Sequence, residues 1–116
     1  MFPDGPRSIY LVLGHTDMRK GADTLAIVAS QHGRFNPCDG SLYVFCNRQR
    51  TIVKILYWDR NGFCLFQKKL DKIHFYWPTT KNEVMSMEQR ELRWLLDGLD
   101  VKKISVKGDG IYKRTR

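Results

Sequence analysis

Strand-forming stretches separated by very short breaks constrain the fold of this chain more than any other feature. Four stretches, 41–46, 51–58, 63–70 and 73–77, are rich in Val, Ile, Phe, Tyr and Trp, which favour strands. Breaks of a few residues allow only antiparallel neighbours. Asn61-Gly62 is the clearest hairpin signal, because both residues tolerate a positive φ. The spacing therefore predicts an antiparallel β-meander.

One helix is predicted on each side of the meander. After a short apolar strand at 8–14, Thr16 or Asp17 can cap a helix with apolar residues at three- and four-residue steps, ending at His32-Gly33. Further on, Ser86 and Gln89 fit a capping box. The helix that follows carries a stripe of leucines, Leu92, Leu95, Leu96 and Leu99.

These elements predict the α+β class, with an antiparallel β-meander of about four to five strands, one helix in the N-terminal half and one C-terminal helix. A length of 116 residues indicates a single domain. We expect this domain to span 1–100 and a mobile basic tail to span 101–116. Neither a signal peptide nor an apolar run long enough for a bilayer is evident, so a cytoplasmic location is expected.

Positive charge indicates the class of partner. The chain has 20 Lys and Arg against 12 Asp and Glu, a net charge of +8. A basic domain attracts polyanions, among which nucleic acid is common in cells. The tail holds six bases and Asp109 alone, 6 − 1 = +5, which suits either a phosphate-contacting arm or a solvated terminus.

Basic residues in the folded part are the other candidates for phosphate contacts. Arg19-Lys20 lies in the first turn of the predicted helix, where positive charge opposes the helix dipole. Lys54 shares a strand face with Lys69 if the hairpin loop has two residues, or with Lys68 if it has three. Tyr57, Trp58, Phe75 and Tyr76 are either core residues or stacking platforms for bases. The candidate nucleic-acid-binding residues are Arg19, Lys20, Lys54, Lys68, Lys69, Lys102, Lys103, Lys113 and Arg114.

Catalytic chemistry has little support in the sequence. Most of the aspartates have a local role as a helix cap or turn residue, as expected for Asp17, Asp39, Asp59 and Asp71. No phosphate-binding loop, His-Glu-x-x-His motif or nucleophile elbow occurs. Cys38, Cys46 and Cys64 are too widely spaced for a zinc site. We expect no enzyme activity, no cofactor and no metal.

Several blocks in a fixed order carry a family resemblance. They are Thr16-Asp17-Met18-Arg19-Lys20-Gly21, Gly40-x-Leu42-x-Val44-Phe45, Lys54-Ile55-Leu56-Tyr57-Trp58-Asp59-x-x-Gly62-Phe63, Lys68-Lys69-Leu70, Phe75-x-Trp77-Pro78 and Leu95-Leu96-Asp97-Gly98-Leu99-Asp100. The series, over roughly residues 9 to 100, resembles the TnpB (Orf-two-like) accessory proteins of the sixty-six-type bacterial insertion sequences. The recurring family positions map onto Asp17, Met18, Arg19, Lys20, Lys54, Trp58, Asp59, Gly62, Lys68 and Trp77.

The resemblance implies a part in transposition without strand-transfer chemistry. Family members are encoded beside a DDE-type transposase and another small protein, and no catalytic set is established for them. The first hypothesis is an accessory protein that binds DNA, at the element's ends or as non-specific duplex, or stabilises the transposase–DNA assembly. The second is an adaptor that docks on the transposase or the other small protein through Trp77-Pro78 or a spare leucine of the last helix. The third is a small metal-dependent nuclease using Asp17 and Asp59.

Overall fold

The computed structural model describes residues 7–31, 36–77 and 84–98. Its elements are β1 (Ile9–Val12), α1 (Ala22–Ser30), β2 (Leu42–Cys46), β3 (Ile52–Asp59), β4 (Gly62–Lys69), β5 (Val84–Met87) and α2 (Gln89–Leu96). The predicted tail, the helix end at His32-Gly33 and Pro78 lie outside the described residues. Neither described helix has the length and apolar character needed to cross a membrane.

The strands form one sheet in the order β4-β3-β2-β1-β5. β2, β3 and β4 are antiparallel neighbours, as the short breaks predicted. β1 lies parallel to β2, and β5 runs antiparallel to β1 on the other side. A parallel pair needs a long crossover, and α1 lies within the connection from β1 to β2. The predicted α+β class with a mostly antiparallel sheet is confirmed.

Both faces of the sheet are covered by a helix. Successive side chains on a strand point to opposite faces, so β2, which is buried throughout, serves two cores. Val44 packs in the cluster that contains Leu95 of α2, on what we call the α2 face. Tyr43 packs in the cluster that contains Leu25 of α1, on the α1 face. The buried central strands therefore fix the position of the loops at their ends.

The β-hairpin has the two-residue connection that places Lys69 on the face of Lys54. Asp59 pairs with Gly62 and Ile52 with Lys69, so Arg60 and Asn61 form the turn. The positive φ, 55°, falls on Arg60 rather than on the predicted Asn61-Gly62 pair. The hairpin was therefore predicted correctly, but its strained position lies before Asn61.

Two predictions around the last strand are wrong. Residues 73–77 are not a strand: Phe75 and Trp77 bury their rings, and the backbone N–H of Phe75 donates to the loop carbonyl of Arg50 instead of to a neighbouring strand. Ser86 lies in β5 and does not cap a helix. The helix cap is Glu88, whose backbone N–H donates to Glu91 Oε1 at 2.8 Å in a capping box two residues further along.

The first helix begins later than predicted. α1 starts at Ala22 with Gly21 as N-cap, and no side chain caps it. The carboxylate of Asp17 instead accepts a bond from the Arg19 backbone N–H at 2.9 Å. This local bond closes a turn that competes with helix formation. Arg19 and Lys20 therefore lie in the β1–α1 loop and not in a helical turn.

Gly98, which follows α2, adopts a φ of +81°, and a Cβ added there would come within 2.8 Å of Ile73 Cδ1. We expect Gly98→Ala to lower the free energy of unfolding by about 1 kcal/mol, because the left-handed conformation disfavours a Cβ. Gly62 has open space around it, so Gly62→Ala is expected to leave stability unchanged or raise it slightly. Urea denaturation of the two variants checks the contrast, and equal midpoints would contradict it.

Candidate functional site

A groove of about 530 Å³ lies where the parallel strands β1 and β2 end. Parallel neighbours place their following loops at the same edge of the sheet, which is where ligands bind in open α/β sheets. The groove is lined by residues 15–19 of the β1–α1 loop, 47–49 of the β2–β3 turn and Ile52. The Thr16 N–H donates to Cys46 O at 2.8 Å, which joins the first loop to the end of β2.

Asn47 determines the shape of the β2–β3 turn. Its Oδ1 accepts bonds from the N–H groups of Thr51 at 2.8 Å and Ile52 at 3.0 Å. Its Nδ2 donates to Thr51 Oγ1 at 3.1 Å. The amide of Asn47 is thus engaged inside the turn. The side chains of Arg48 and Gln49 are left exposed at the tip.

Asp17 and Arg19 form a hydrogen-bonded ion pair, which we call the clamp, within the β1–α1 loop. The Arg19 guanidinium lies against both carboxylate oxygens, with Nη2 2.7 Å from Asp17 Oδ2. The side-chain hydrogen bonds from Arg19 hold the pKa of Asp17 well below its usual range. Asp17 therefore stays ionised, and the positive charge of Arg19 balances its negative charge. The Arg19 side chain itself remains 91% exposed.

Lys54 supports this loop from the sheet. It is only 8% exposed, on the α1 face of β3. Its Nζ donates to Met18 O at 2.7 Å and to Lys20 O at 3.1 Å. Because its ammonium is engaged by two backbone carbonyls, Lys54 positions the loop that carries Arg19. Lys54, one of the family positions, therefore supports the loop, a role that the sequence did not indicate for a lysine.

The segment 70–77 holds both loops from the other side. Trp77 Nε1 donates to Gly14 O at 2.8 Å, and the Phe75 N–H donates to Arg50 O at 2.7 Å. His74 Nδ1 lies 2.8 Å from Gln49 O. The segment wrongly predicted to be a strand therefore ties the two loops that form the groove.

Trp77→Phe is expected to lower the free energy of unfolding by about 1 kcal/mol, because the carbonyl of Gly14 loses its donor while the ring volume is largely kept. Trp94→Phe is the matched control. The structure gives the Trp94 indole N–H no hydrogen bond to any described residue, so its replacement should cost less. Thermal unfolding of both variants measures the difference, and a larger loss in Trp94→Phe would be inconsistent with this role for Trp77.

Exposed cations lie at the groove and beside it. Arg19 comes from the first loop and Arg48 from the turn, and both line it. Lys69 is exposed and lies directly across the sheet from Ile52, a groove residue. We call Arg19, Arg48 and Lys69 the groove rim. Lys20 follows Arg19 on the same loop.

The structure brings only part of the predicted basic set together. Arg19 lines the groove, Lys20 follows it on the same loop, and Lys69 pairs with the groove residue Ile52. Lys54 bonds to the β1–α1 loop from the sheet. Lys68 is on the α2 face, where its Nζ donates to Leu96 O at 2.9 Å at the end of α2. The tail residues Lys102, Lys103, Lys113 and Arg114 lie outside the described residues. Arg48, which lines the groove, was not among the candidate nucleic-acid-binding residues predicted from the sequence.

Eight of the ten family positions fall into two groups. Asp17, Met18, Arg19, Lys54 and Trp77 line or support the groove. Trp58, Asp59 and Gly62 lie at the hairpin end of β3 and β4, where the Trp58 and Phe63 rings meet edge to face at 5.0 Å. Because β3 has eight residues, Asp59 is about 20 Å from the groove end of the strand.

That separation bears on the nuclease hypothesis. Asp17 lies at the groove and Asp59 at the opposite end of β3, so these two carboxylates do not share a site. No cluster of three or more His, Cys, Asp or Glu residues able to hold a metal ion is found within 7–31, 36–77 and 84–98.

The predicted docking residues are mostly buried. Trp77 is 5% exposed, and the leucines at 92, 95 and 96 are in the core, so the prediction of an exposed Trp77 is wrong. Leu99 lies outside the described residues. Of the candidate stacking aromatics, Phe75 is buried and Tyr76 is 50% exposed.

Comparisons with known proteins agree on one family. A family model described as IS66 Orf2 like protein matches residues 7–106. The uncharacterized protein y4hO of Sinorhizobium fredii is 37% identical over 101 residues, which cover 86% of this chain and 88% of that protein. The uncharacterized protein y4jC of the same organism is 28% identical over 91 residues, 78% of each chain. No solved structure matches the chain.

Proposed function

Because this chain belongs to the IS66 Orf2-like family, a family of transposition accessory proteins, we propose that it assists transposition of its insertion sequence by binding DNA at the groove rim. It acts in the bacterial cytoplasm as a non-enzymatic component. The first contacts are with backbone phosphates, which position a protein on DNA without reading sequence.

The observation that carries this proposal is that exposed cations from three elements lie at or beside one groove. Arg48 and Lys69 are exposed, and their side chains make no hydrogen bond or ion pair with the described residues. Arg19 bonds to Asp17 through Nε and Nη2, which leaves Nη1 for a phosphate. The net charge of +8 supplies a long-range attraction for the same ligand.

Titration of labelled duplexes tests this proposal. Fluorescence anisotropy would compare an element-end duplex with a shuffled one at about 50 mM and about 200 mM salt. Three phosphate contacts give a log–log slope of about −2.7, so affinity should fall about 40-fold across that range. Binding that does not change with salt would contradict the proposal, whichever duplex is used.

An adaptor role is the second candidate, and exposed apolar side chains on the segment 70–77 favour it. Ile73 is 53% exposed and Tyr76 is 50% exposed. The partner would be the transposase or the other small protein of the element. Co-purification that survives nuclease treatment and is lost in Tyr76→Ala, together with no DNA binding, would select this function over the first.

A further inference from the structure

We infer that the groove holds an unpaired nucleotide of the bound DNA while the groove rim contacts the phosphates on either side. This inference rests on the proposed function and narrows its ligand class. Duplex binding at the rim alone would leave the space between the loops without a role.

The size of the groove selects its occupant. The groove is open to solvent, and its volume of about 530 Å³ gives room for a single base. Bases inside a duplex are stacked and cannot enter such a space, whereas a base released from the stack can. The groove therefore fits a nucleotide from a single strand or from the frayed end of a duplex.

The lining suits the face and the edge of a base. Met18 and Ile52 are half-buried and give the groove an apolar part against which a ring can lie. The Gln49 Oε1 accepts a bond from Asn47 Nδ2 at 3.3 Å, which leaves the Gln49 amide N–H groups for a ligand.

Charge on both sides of the groove suits the backbone of an extruded nucleotide. Arg19 projects from one loop and Arg48 from the other, so the phosphates before and after the base can each meet a cation. The negative charge of Asp17 is opposed by its clamp with Arg19.

The groove is also preformed. Lys54 fixes one loop, Asn47 fixes the other, and the Trp77 indole is bonded to Gly14 O beneath them. A site that is rigid before binding loses less entropy when the ligand enters.

Three labelled DNAs of equal length test the inference by anisotropy: a blunt hairpin, a hairpin with a short unpaired 3′ end, and a single strand. Burial of one base should make the two DNAs with unpaired nucleotides bind about tenfold more tightly than the blunt hairpin. Ile52→Trp places an indole in the groove and should abolish this preference while keeping salt-dependent duplex binding. Leu65→Trp is the matched control, because Leu65 is exposed on the same sheet face but outside the groove.

Gln49→Ala provides a second variant if Ile52→Trp does not fold, and it should reduce the preference without altering duplex affinity. Equal affinity for all three DNAs with a normal salt dependence would overturn this inference and leave the proposed function standing. A preference that survives both groove variants would also overturn it. Displacement of the DNA by excess deoxynucleoside monophosphates would assign the groove to a free nucleotide instead, and no binding to any DNA would overturn both proposals.

Discussion

Arg48→Glu is expected to weaken DNA binding about tenfold or more at about 0.1 M salt and to reduce the log–log salt slope by about 0.9 or more. Each phosphate contact contributes about eightfold at that salt concentration through counterion release, and the new carboxylate adds repulsion. Arg48 lines the groove and makes no hydrogen bond or ion pair within the described ranges. Its replacement should therefore leave the fold unchanged, and anisotropy titration at several salt concentrations measures the effect.

Arg93→Glu is the matched control for this variant. It changes the net charge by the same amount, and Arg93 is exposed on α2, on the other side of the sheet from α1. We expect it to weaken binding much less, because only the long-range field changes. If both variants lose affinity equally, the net charge attracts DNA and the groove rim has no special role.

Lys54→Ala is expected to lower the free energy of unfolding by about 2–3 kcal/mol. Lys54 is 8% exposed, and its ammonium donates to the carbonyls of Met18 and Lys20. The substitution removes two charge-assisted bonds and the packing of the aliphatic stem. Because the released loop carries Arg19, DNA affinity should fall as well, although Lys54 touches no phosphate.

Lys54→Met separates the two contributions. It keeps most of the stem and loses the bonds, so we expect about half of the stability loss. Lys69→Ala is the control, since Lys69 is exposed on the same sheet face and its loss should change stability by less than about 0.5 kcal/mol. Equal stability of Lys54→Ala and Lys69→Ala in urea denaturation would rule out the supporting role of Lys54.

The central strands were predictable because their signal is local. β-branched and aromatic residues dominate β3, and the break between β3 and β4 admits only a tight turn. β5 was not predicted, because four residues carry little periodicity and this strand is fixed by pairing with β1, far away in sequence. Residues 73–77 were misassigned because buried aromatic side chains occur equally in a segment that packs without joining a ladder.

The groove was harder to foresee than the strands. Its position depends on β1 lying parallel to β2, and that pairing joins residues more than thirty apart in the sequence. Arg19 and Lys20 were identified as functional candidates, but the turn closed by Asp17 moved them out of the helix. Lys69, one of the two lysines that could share the strand face of Lys54, does share it. The sequence pattern does not show whether a lysine on that face reaches solvent or a carbonyl.

Backbone amide shifts during a DNA titration test most directly whether the groove binds DNA. A chain of 116 residues is well suited to nitrogen-15 correlation spectra. The amides of residues 15–19 and 47–52 should shift progressively with added DNA, while those of α2 stay in place. Shifts concentrated on α2 or on the hairpin turn, with residues 15–19 and 47–52 unperturbed, would contradict the assignment of the groove as the DNA site.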